Sequence, residues 1–432
     1  MPTVGYFPYT DTTCSVEARW LSEHVPVTVR LATDAPSLNG GPPALPTFER
    51  LVGALADFVA LPAVVAEGPG GFLWAALLRA HGFAGTATVL PYLNPRCWYD
   101  IGAIALYRRF AAPQDRVFLG STPSAGLYAA RGLQVTVGEP YGIDDGLFGL
   151  RPGAARTREE LSIPPGRMLL FAGRSQPDKD LYRLLRVGLK ARVLFPDLQV
   201  VIASHLVDHD YLAAARRELG RDCGVHLVLD PTPEQLADLY NVADVFVTAS
   251  TSHFETFGRA PAEALACGTP AIAPRYDGFA EVLAQVGGTL VDVEADPETG
   301  RPHVEEELLL RAVYDVLSAP RPPRREEVSA TARRRFGRSA TIGLLSHLAG
   351  DVPRAAMFGR PPVAPAGVAL PAAWHAPLAE IANRDAADAL RWFWDACDHA
   401  RFGAYDDEFA AGVRRALCVP PQRDDEGREP CR

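Results

Sequence analysis

Lysine is nearly missing from this chain. Of its 43 basic residues only Lys179 and Lys190 are lysines, which leaves 41 arginines. A lysine inside a spaced motif therefore carries information. Cysteine is sparse and scattered: Cys14, Cys97, Cys223, Cys267, Cys397, Cys418 and Cys431 form no Cys-x-x-Cys pair, and their number is odd. That excludes a disulfide framework or a compact zinc site and points to reduced thiols. Long apolar runs are missing too. The stretch LVGALADFVALPAVVA (51–66) is broken by Gly, Asp and Pro, short of the ~18–20 residues that span a bilayer. The N-terminus lacks the basic and apolar regions of a signal peptide. No basic run occurs, and the formal net charge is -9, from 52 acidic and 43 basic residues. This argues against nucleic acid or an anionic membrane as partner. The expectation is a soluble cytoplasmic protein with neither as partner.

What is present fits a globular protein with a full core: 48% hydrophobic and 22% charged residues over 432 positions. At ~100–200 residues per domain, that length allows two or three domains. The abundance of Ala, Gly and Pro, with Arg in place of Lys, suggests a GC-rich genome.

Short apolar runs alternate with longer helical patterns, the signature of parallel α/β sheets. TVGYF, PVTVRLA, AVVAEG, TATVLPYL, RVFLGS and LQVTVG read as strands of a first unit. The Gly- and Pro-rich stretch 138–166 reads as a linker. A second alternating series runs from MLLFAGR (168–174) to GTLVDV (288–293) and the helix EELLLRAVYDVLSA. Ligands of such doubly wound sheets sit beyond the carboxyl ends of the strands. The tail differs: SATARRRFGRSATIGLLSHLAGD reads as one helical stretch, 361–374 as a connector, and 377–418 as further helices. The expected domains are 1–140 (Rossmann-like, acceptor), 141–335 (Rossmann-like, donor) and 336–420 (helices packing back on the first).

Two constellations carry chemistry. In the first, a buried strand ends at Gly173, followed by Arg174 and, five residues on, Lys179. Two cations at a sheet mouth beside a helix N-terminus suit a polyanion such as a diphosphate; the bland alternative is a surface Arg and Lys. In the second, strand DVFVTAS runs into His253-Phe254-Glu255-Thr256-Phe257-Gly258-Arg259, with Glu263 in the helix beyond. Gly258 lets backbone N–H groups approach a phosphate closely, and a helix carboxylate can accept from ribose hydroxyls. The alternatives are a helix-start acid for Glu255 and a solvated face for Glu263.

Together these segments resemble the retaining glycosyltransferases of family 4, in particular actinobacterial natural-product enzymes. The Gly-Arg-x4-Lys pattern is Gly173, Arg174 and Lys179, and the Glu-x7-Glu pattern is Glu255 and Glu263, with Phe257-Gly258 between. GIDDGLFGLRP (142–152), ADVFVTAS (243–250) and CGTPAIAPRYDGFAEVL (267–283) also match. The resemblance covers about 138–320 and implies an α/β GT-B architecture, two Rossmann-like domains facing across a cleft with a helical C-terminal tail. It implies that Arg174 and Lys179 bind the donor diphosphate and stabilise the leaving nucleotide, and that backbone groups near Phe257, Gly258 and Arg259 hold the same phosphates. Glu263 would bind ribose, and Glu255 would lie at the donor sugar as a catalytic group. It further implies retention and no metal or other cofactor, and no Asp-x-Asp triplet of the metal-dependent kind is expected in the chain. A GDP- or UDP-sugar would be the donor and a small molecule the acceptor, in natural-product (antibiotic) biosynthesis. A homodimer is compatible with this.

The first half departs from the family. Tyr9–Ser15 has no glycine pair, and Tyr92 or Asn94 stands where a histidine is usual. An unusual sugar is therefore expected. Gly70 and Gly71, in the GPGG turn, are candidates for sugar or acceptor contacts or a plain strand-to-helix turn. Trp20, Trp74, Trp98 and Tyr99 are acceptor platforms or core, and His205 and His209 could flank the base. The Gly278–Glu281 turn, with Asp277 in place of a glycine, is a weaker donor element. Trp392, Trp394 and His399 read as packing. Competing readings are a glycosyltransferase of primary metabolism (cell-envelope, thiol or storage sugar), a nucleotide-sugar epimerase, a phosphorylase, and a non-catalytic relative.

Overall fold

A computed structural model of the chain describes residues 1–9, 16–33, 35, 38, 48–138, 141–205, 207–219, 224–319, 324–349, 367–396 and 406–420. Thr10–Ser15, Cys223, Cys397, His399, Cys431 and part of the 361–374 connector lie outside them. The chain divides into two compact units, Met1–Tyr141 with Ser339–Ala416, and Gly142–Arg338 with Leu417–Arg432.

The first unit runs β1 (Thr3–Phe7), α1 (Val16–His24), β2 (Thr28–Leu31), α2 (Phe48–Leu55), β3 (Ala63–Glu67) and α3 (Gly70–Ala80). It continues with β4 (Thr86–Leu90), α4 (Trp98–Phe110), β5 (Arg116–Leu119), α5 (Thr122–Ala129) and β6 (Thr136–Val137). The strands form one parallel sheet of order β2-β1-β3-β4-β5-β6. β3 is buried along its whole length, as a strand covered on both faces must be. The LQVTVG run keeps only Thr136–Val137 as strand, at the sheet edge. At the amino ends, Asp115 accepts from the backbone N–H groups of Ala87 (2.9 Å) and Ala112 (2.8 Å) and pairs with Arg79. One buried carboxylate thus ties α3, β4 and β5.

The second unit runs α6 (Ala155–Glu160), β7 (Met168–Ala172), α7 (Leu181–Leu194), β8 (Gln199–Ser204), α8 (His209–Leu219) and β9 (Val225–Leu229). Then come α9 (Pro233–Val242), β10 (Val245–Val247), α10 (Arg259–Ala266), β11 (Ala271–Pro274), α11 (Asp277–Val286) and β12 (Thr289–Val291). A hairpin β13 (Val293–Ala295) and β14 (Pro302–Val304) precedes α12 (Glu306–Ser318) and α13 (Arg325–Phe336). The GTLVDV run is thus two strands, with β13 leaving the main sheet. That sheet is parallel, of order β12-β11-β10-β7-β8-β9. Its core joins Leu169, Phe171, Val200 and Ile202 of the strands to Leu184, Val187, Leu309 and Val313 of α7 and α12.

The stretch expected to be one helix after 329 is two, α13 and α14 (Arg338–Leu345). Gly337 breaks it in extended backbone, and a Cβ there would meet Arg333 O at 2.4 Å and the Asp145 carboxylate at 2.9 Å. Three further helices, α15 (Ala372–Asn383), α16 (Ala386–Ala396) and α17 (Asp407–Ala416), belong to the first unit. Phe393 of α16 stacks on Trp98, with ring centroids 5.1 Å apart, and α15 also packs on α4. Among the described residues no helix is long and apolar enough to cross a membrane.

Removing Asp115 leaves the Arg79 guanidinium buried and unpaired, a loss of about 3–5 kcal/mol. Asp115→Ala is expected to destabilise the protein by that order in denaturant unfolding; a change below about 1 kcal/mol would contradict its role as a tie.

Candidate active site

β7 and β10 are neighbours in the second sheet, yet the chain leaves β7 toward β8 and β9 on the other side. This is where the winding reverses, and in open α/β sheets ligands bind outside the carboxyl ends of the strands at that reversal. The loops after β7 and β10 carry the two constellations read from the sequence, and the structure brings them together.

After β7, residues 173–176 lead to a single 3-10 turn, Pro177–Lys179. Asp180 follows in the left-handed region (φ 48°), where its carboxylate accepts from Arg183 Nε at 2.7 Å. That reversal aims α7 away and leaves Lys179 at the sheet mouth. Lys179 Nζ donates to Glu255 Oε1 across the gap between the loops. The Ser250 hydroxyl donates to the same oxygen at 2.6 Å. Arg174 Nη2 donates to Asp178 Oδ2 at 2.7 Å and Nη1 to Gln176 Oε1. The guanidinium lies over the Phe254 ring, 4.4 Å from its centroid. Two cations are thus matched by two carboxylates in one cluster, with Lys179 and Glu255 about nine-tenths buried.

The loop after β10 ends at Gly258 (φ 98°), the N-cap of α10. The left-handed turn suits glycine, and a Cβ would also meet the Phe279 ring at 2.9 Å. The next loop locks onto this one. Gly278 N–H donates to Glu255 O at 2.9 Å, and a Gly278 Cβ would fall 2.3 Å from Phe257 O. Asp277 holds a left-handed backbone (φ 41°) and donates its N–H to Leu417 O at 2.9 Å. The Gly278–Glu281 turn therefore supports the Glu255 loop from behind.

Glu263 is buried, not on a solvated face, and accepts from the Tyr240 hydroxyl at 3.1 Å. Burial pushes its carboxyl up to about 7, and Arg259 and the Tyr240 hydrogen bond draw it back only in part. His205 and His209 are exposed. An Asp-x-Asp triplet does occur, Asp208-His209-Asp210, but it opens α8, with Asp208 Oδ1 accepting from Tyr211 N–H at 2.9 Å.

The first unit has its own reversal, between β1 and β3. Glu67, at the end of β3, accepts from the Tyr6 hydroxyl and from Tyr9 N–H at 2.7 Å. The Tyr92 hydroxyl lies 3.0 Å from both Glu67 Oε1 and Glu17 Oε2, and its ring stacks on Tyr141 at 4.3 Å. Tyr92 thus belongs to a carboxylate–tyrosine group at that sheet mouth, whereas Asn94 is fully buried. The acids Glu17 and Glu67, like Asp178, Ser250 and Ser252, escaped sequence reasoning. A charged residue closing the apolar run AVVAE was the available signal for Glu67. Gly70 and Gly71 are closely packed: added Cβ atoms would meet Leu38 O at 2.6 Å and Ala66 O at 2.7 Å. Trp20, Trp74, Trp98 and Tyr99 are buried in the core. Trp392 and Trp394 lie on α16, Trp392 edge-on to Trp98.

Residues 155–311 match the family model described as glycosyl transferases group 1. That segment is similar to group 1 glycosyltransferase domains. It contains every residue of the second-unit cluster. Relatives of the domain include the D-inositol 3-phosphate glycosyltransferase of Segniliparus rotundus, 35% identical over 196 residues, 43% of this chain and 42% of that one. The enzyme of that name from Thermobispora bispora is 33% identical over 236 residues, 51% of each chain. The chain spans about half the length of these curated relatives or less. Among solved structures, Anabaena Alr3699/HepE in complex with UDP and glucose aligns with a TM-score of 0.62 at 16% identity, over 80% of this chain and 99% of that one. Sucrose-phosphate synthase of Thermosynechococcus elongatus gives 0.62 at 18%, over 81% and 98%. At such identities the likeness is one of fold, the α/β GT-B class with two Rossmann-like units.

The raised Glu263 carboxyl fixes the sign of a pH effect. The folded state holds this proton more tightly than the unfolded chain, so stability falls as pH rises from about 4.5 through about 7. Glu263→Gln, which mimics the protonated form, is expected to match wild type near pH 4 and to exceed it at pH 8 in thermal unfolding. An offset independent of pH would show that Glu263 is ionised throughout.

Proposed function

We propose that the protein is a retaining, metal-independent glycosyltransferase that moves a sugar from a nucleoside-diphosphate sugar to a small hydroxylated acceptor. The observation that carries this reading is the convergence of Arg174, Lys179 and Glu255 where the second sheet reverses its winding. Two cations at that mouth suit a diphosphate, and the Glu255 carboxylate on Lys179 suits a sugar whose anomeric carbon gains positive charge. The N–H groups at Phe257, Gly258 and Arg259, at the entrance to α10, would add to the phosphate seat. Glu263 would accept from ribose hydroxyls.

In this reading the acceptor hydroxyl attacks the anomeric carbon from the face on which the nucleotide leaves. The carbon–oxygen bond to the diphosphate breaks as the new glycosidic bond forms. The acceptor proton passes to the departing phosphate oxygen, and Arg174 and Lys179 stabilise the charge on that group. UDP is the first base to test, because a structural neighbour was solved with UDP and with UDP-glucose; GDP is the second.

The first unit is the acceptor unit in this proposal. Tyr6, Tyr92, Glu17 and Glu67 form a hydrogen-bonding group suited to hydroxyls or an amine, which supports an acceptor from a natural-product route. The D-inositol 3-phosphate enzymes among the relatives favour a second reading, an acceptor of primary metabolism. Parallel assays with D-inositol 3-phosphate and with an aminocyclitol separate the two.

Lys179→Ala and Glu255→Gln are expected to reduce turnover of the donor, followed as release of UDP or GDP, by about 10²-fold or more, with folding intact. Chelator is expected to leave wild-type turnover unchanged. Wild-type rates in folded Lys179→Ala would overturn the assignment.

A further inference from the structure

Asp178 occupies one of the four positions between Arg174 and Lys179 and is used by none of the steps above. Its Oδ2 accepts from Arg174 Nη2 at 2.7 Å and from the Ser252 hydroxyl at 2.6 Å. Its main-chain oxygen lies 3.4 Å from the Ser250 hydroxyl, whose proton goes to Glu255. The carboxylate is thus held between the loops after β7 and β10. A guanidinium has five N–H donors, and Arg174 gives one to Asp178 and one to Gln176. The rest suffice for a phosphate oxygen pair, so a diphosphate can be bound while Asp178 stays in place. A fixed negative charge then lies on the cation that grips the anion.

We propose that Asp178 sets the affinity of the donor-phosphate site: it is a built-in counter-charge that weakens the hold of Arg174 on nucleoside diphosphate and so favours product release. The proposal rests on the donor-site reading above. Donor and product share the diphosphate, so grip felt equally by both does not lower the chemical barrier. Excess grip slows turnover once product release limits it. The Arg174 and Asp178 side chains are 25% and 22% exposed, so solvent screens the effect to a modest size. Ser252 keeps the carboxylate in position.

The test is calorimetric titration of the full chain with UDP, or with GDP, TDP, ADP or CDP if one of those is the diphosphate the wild type binds. Asp178→Asn keeps an oxygen for Arg174 and Ser252 but removes the charge. It is expected to bind the diphosphate about five- to tenfold more tightly, the order for one unit charge at a partly exposed site. Its affinity should also fall more steeply with salt, and its affinity for the nucleoside of that diphosphate should be unchanged. Asp178→Ser gives the same direction if the Asn variant does not fold. Damage to packing would weaken binding, not tighten it. If the wild type binds the diphosphate and the folded variants bind it equally or more weakly, Asp178 is not a counter-charge. If the wild type binds none of UDP, GDP, TDP, ADP and CDP, the donor-site reading fails, and this proposal with it.

Discussion

Two cations and two carboxylates meet where the second sheet reverses its winding, and the surrounding structure serves to hold them there. Lys179 with Glu255 is an ion pair between the loops after β7 and β10, and Arg174 with Asp178 is one within the first of them. For buried pairs the cost of desolvation offsets much of the attraction, so they are weak evidence for stability. Their worth is positional: each carboxylate holds its cation at the sheet mouth.

The backbone explains why the cluster keeps its shape. β7 is buried throughout and β10 beside it is equally apolar, so the sheet is rigid and its loops start from fixed points. Close approach does the rest. Gly278 packs its Cα against Phe257 O and donates to Glu255 O, so the α11 entrance acts as a backstop for the Glu255 loop. Asp180 and Asp277 hold left-handed conformations on either side, turning α7 and α11 away from the mouth. α10 is braced from below: Arg325 reaches Asn241 O (2.7 Å) and Cys267 O (3.1 Å), and the Ser329 hydroxyl donates to Ala266 O at 2.5 Å.

Much of this was legible in the sequence. Alternating apolar runs locate most strands because parallel strands covered by helices must be apolar throughout. Gly173, Arg174, Lys179, Glu255 and Glu263 stand out because each lies in a short segment whose spacing is itself the signal. Three features were not legible, each for a physical reason. Glu67 meets Tyr6 across 61 residues of chain, a long-range pairing without local trace. Glu263 has the spacing of a solvated helix face, and only tertiary packing against Tyr240 buries it. Gly337 sits in a sequence of strong helix formers, and the Asp145 carboxylate beside it decides the break.

The most direct test of the phosphate site is a thermal-shift titration of wild type and Lys179→Ala with UDP, GDP, TDP, ADP and CDP. A ligand that binds the folded state raises its stability with the logarithm of concentration above Kd. One diphosphate is expected to raise the wild-type Tm in this way and to leave the Lys179→Ala Tm unmoved. A rise of equal size in both proteins would place the diphosphate elsewhere and contradict the site.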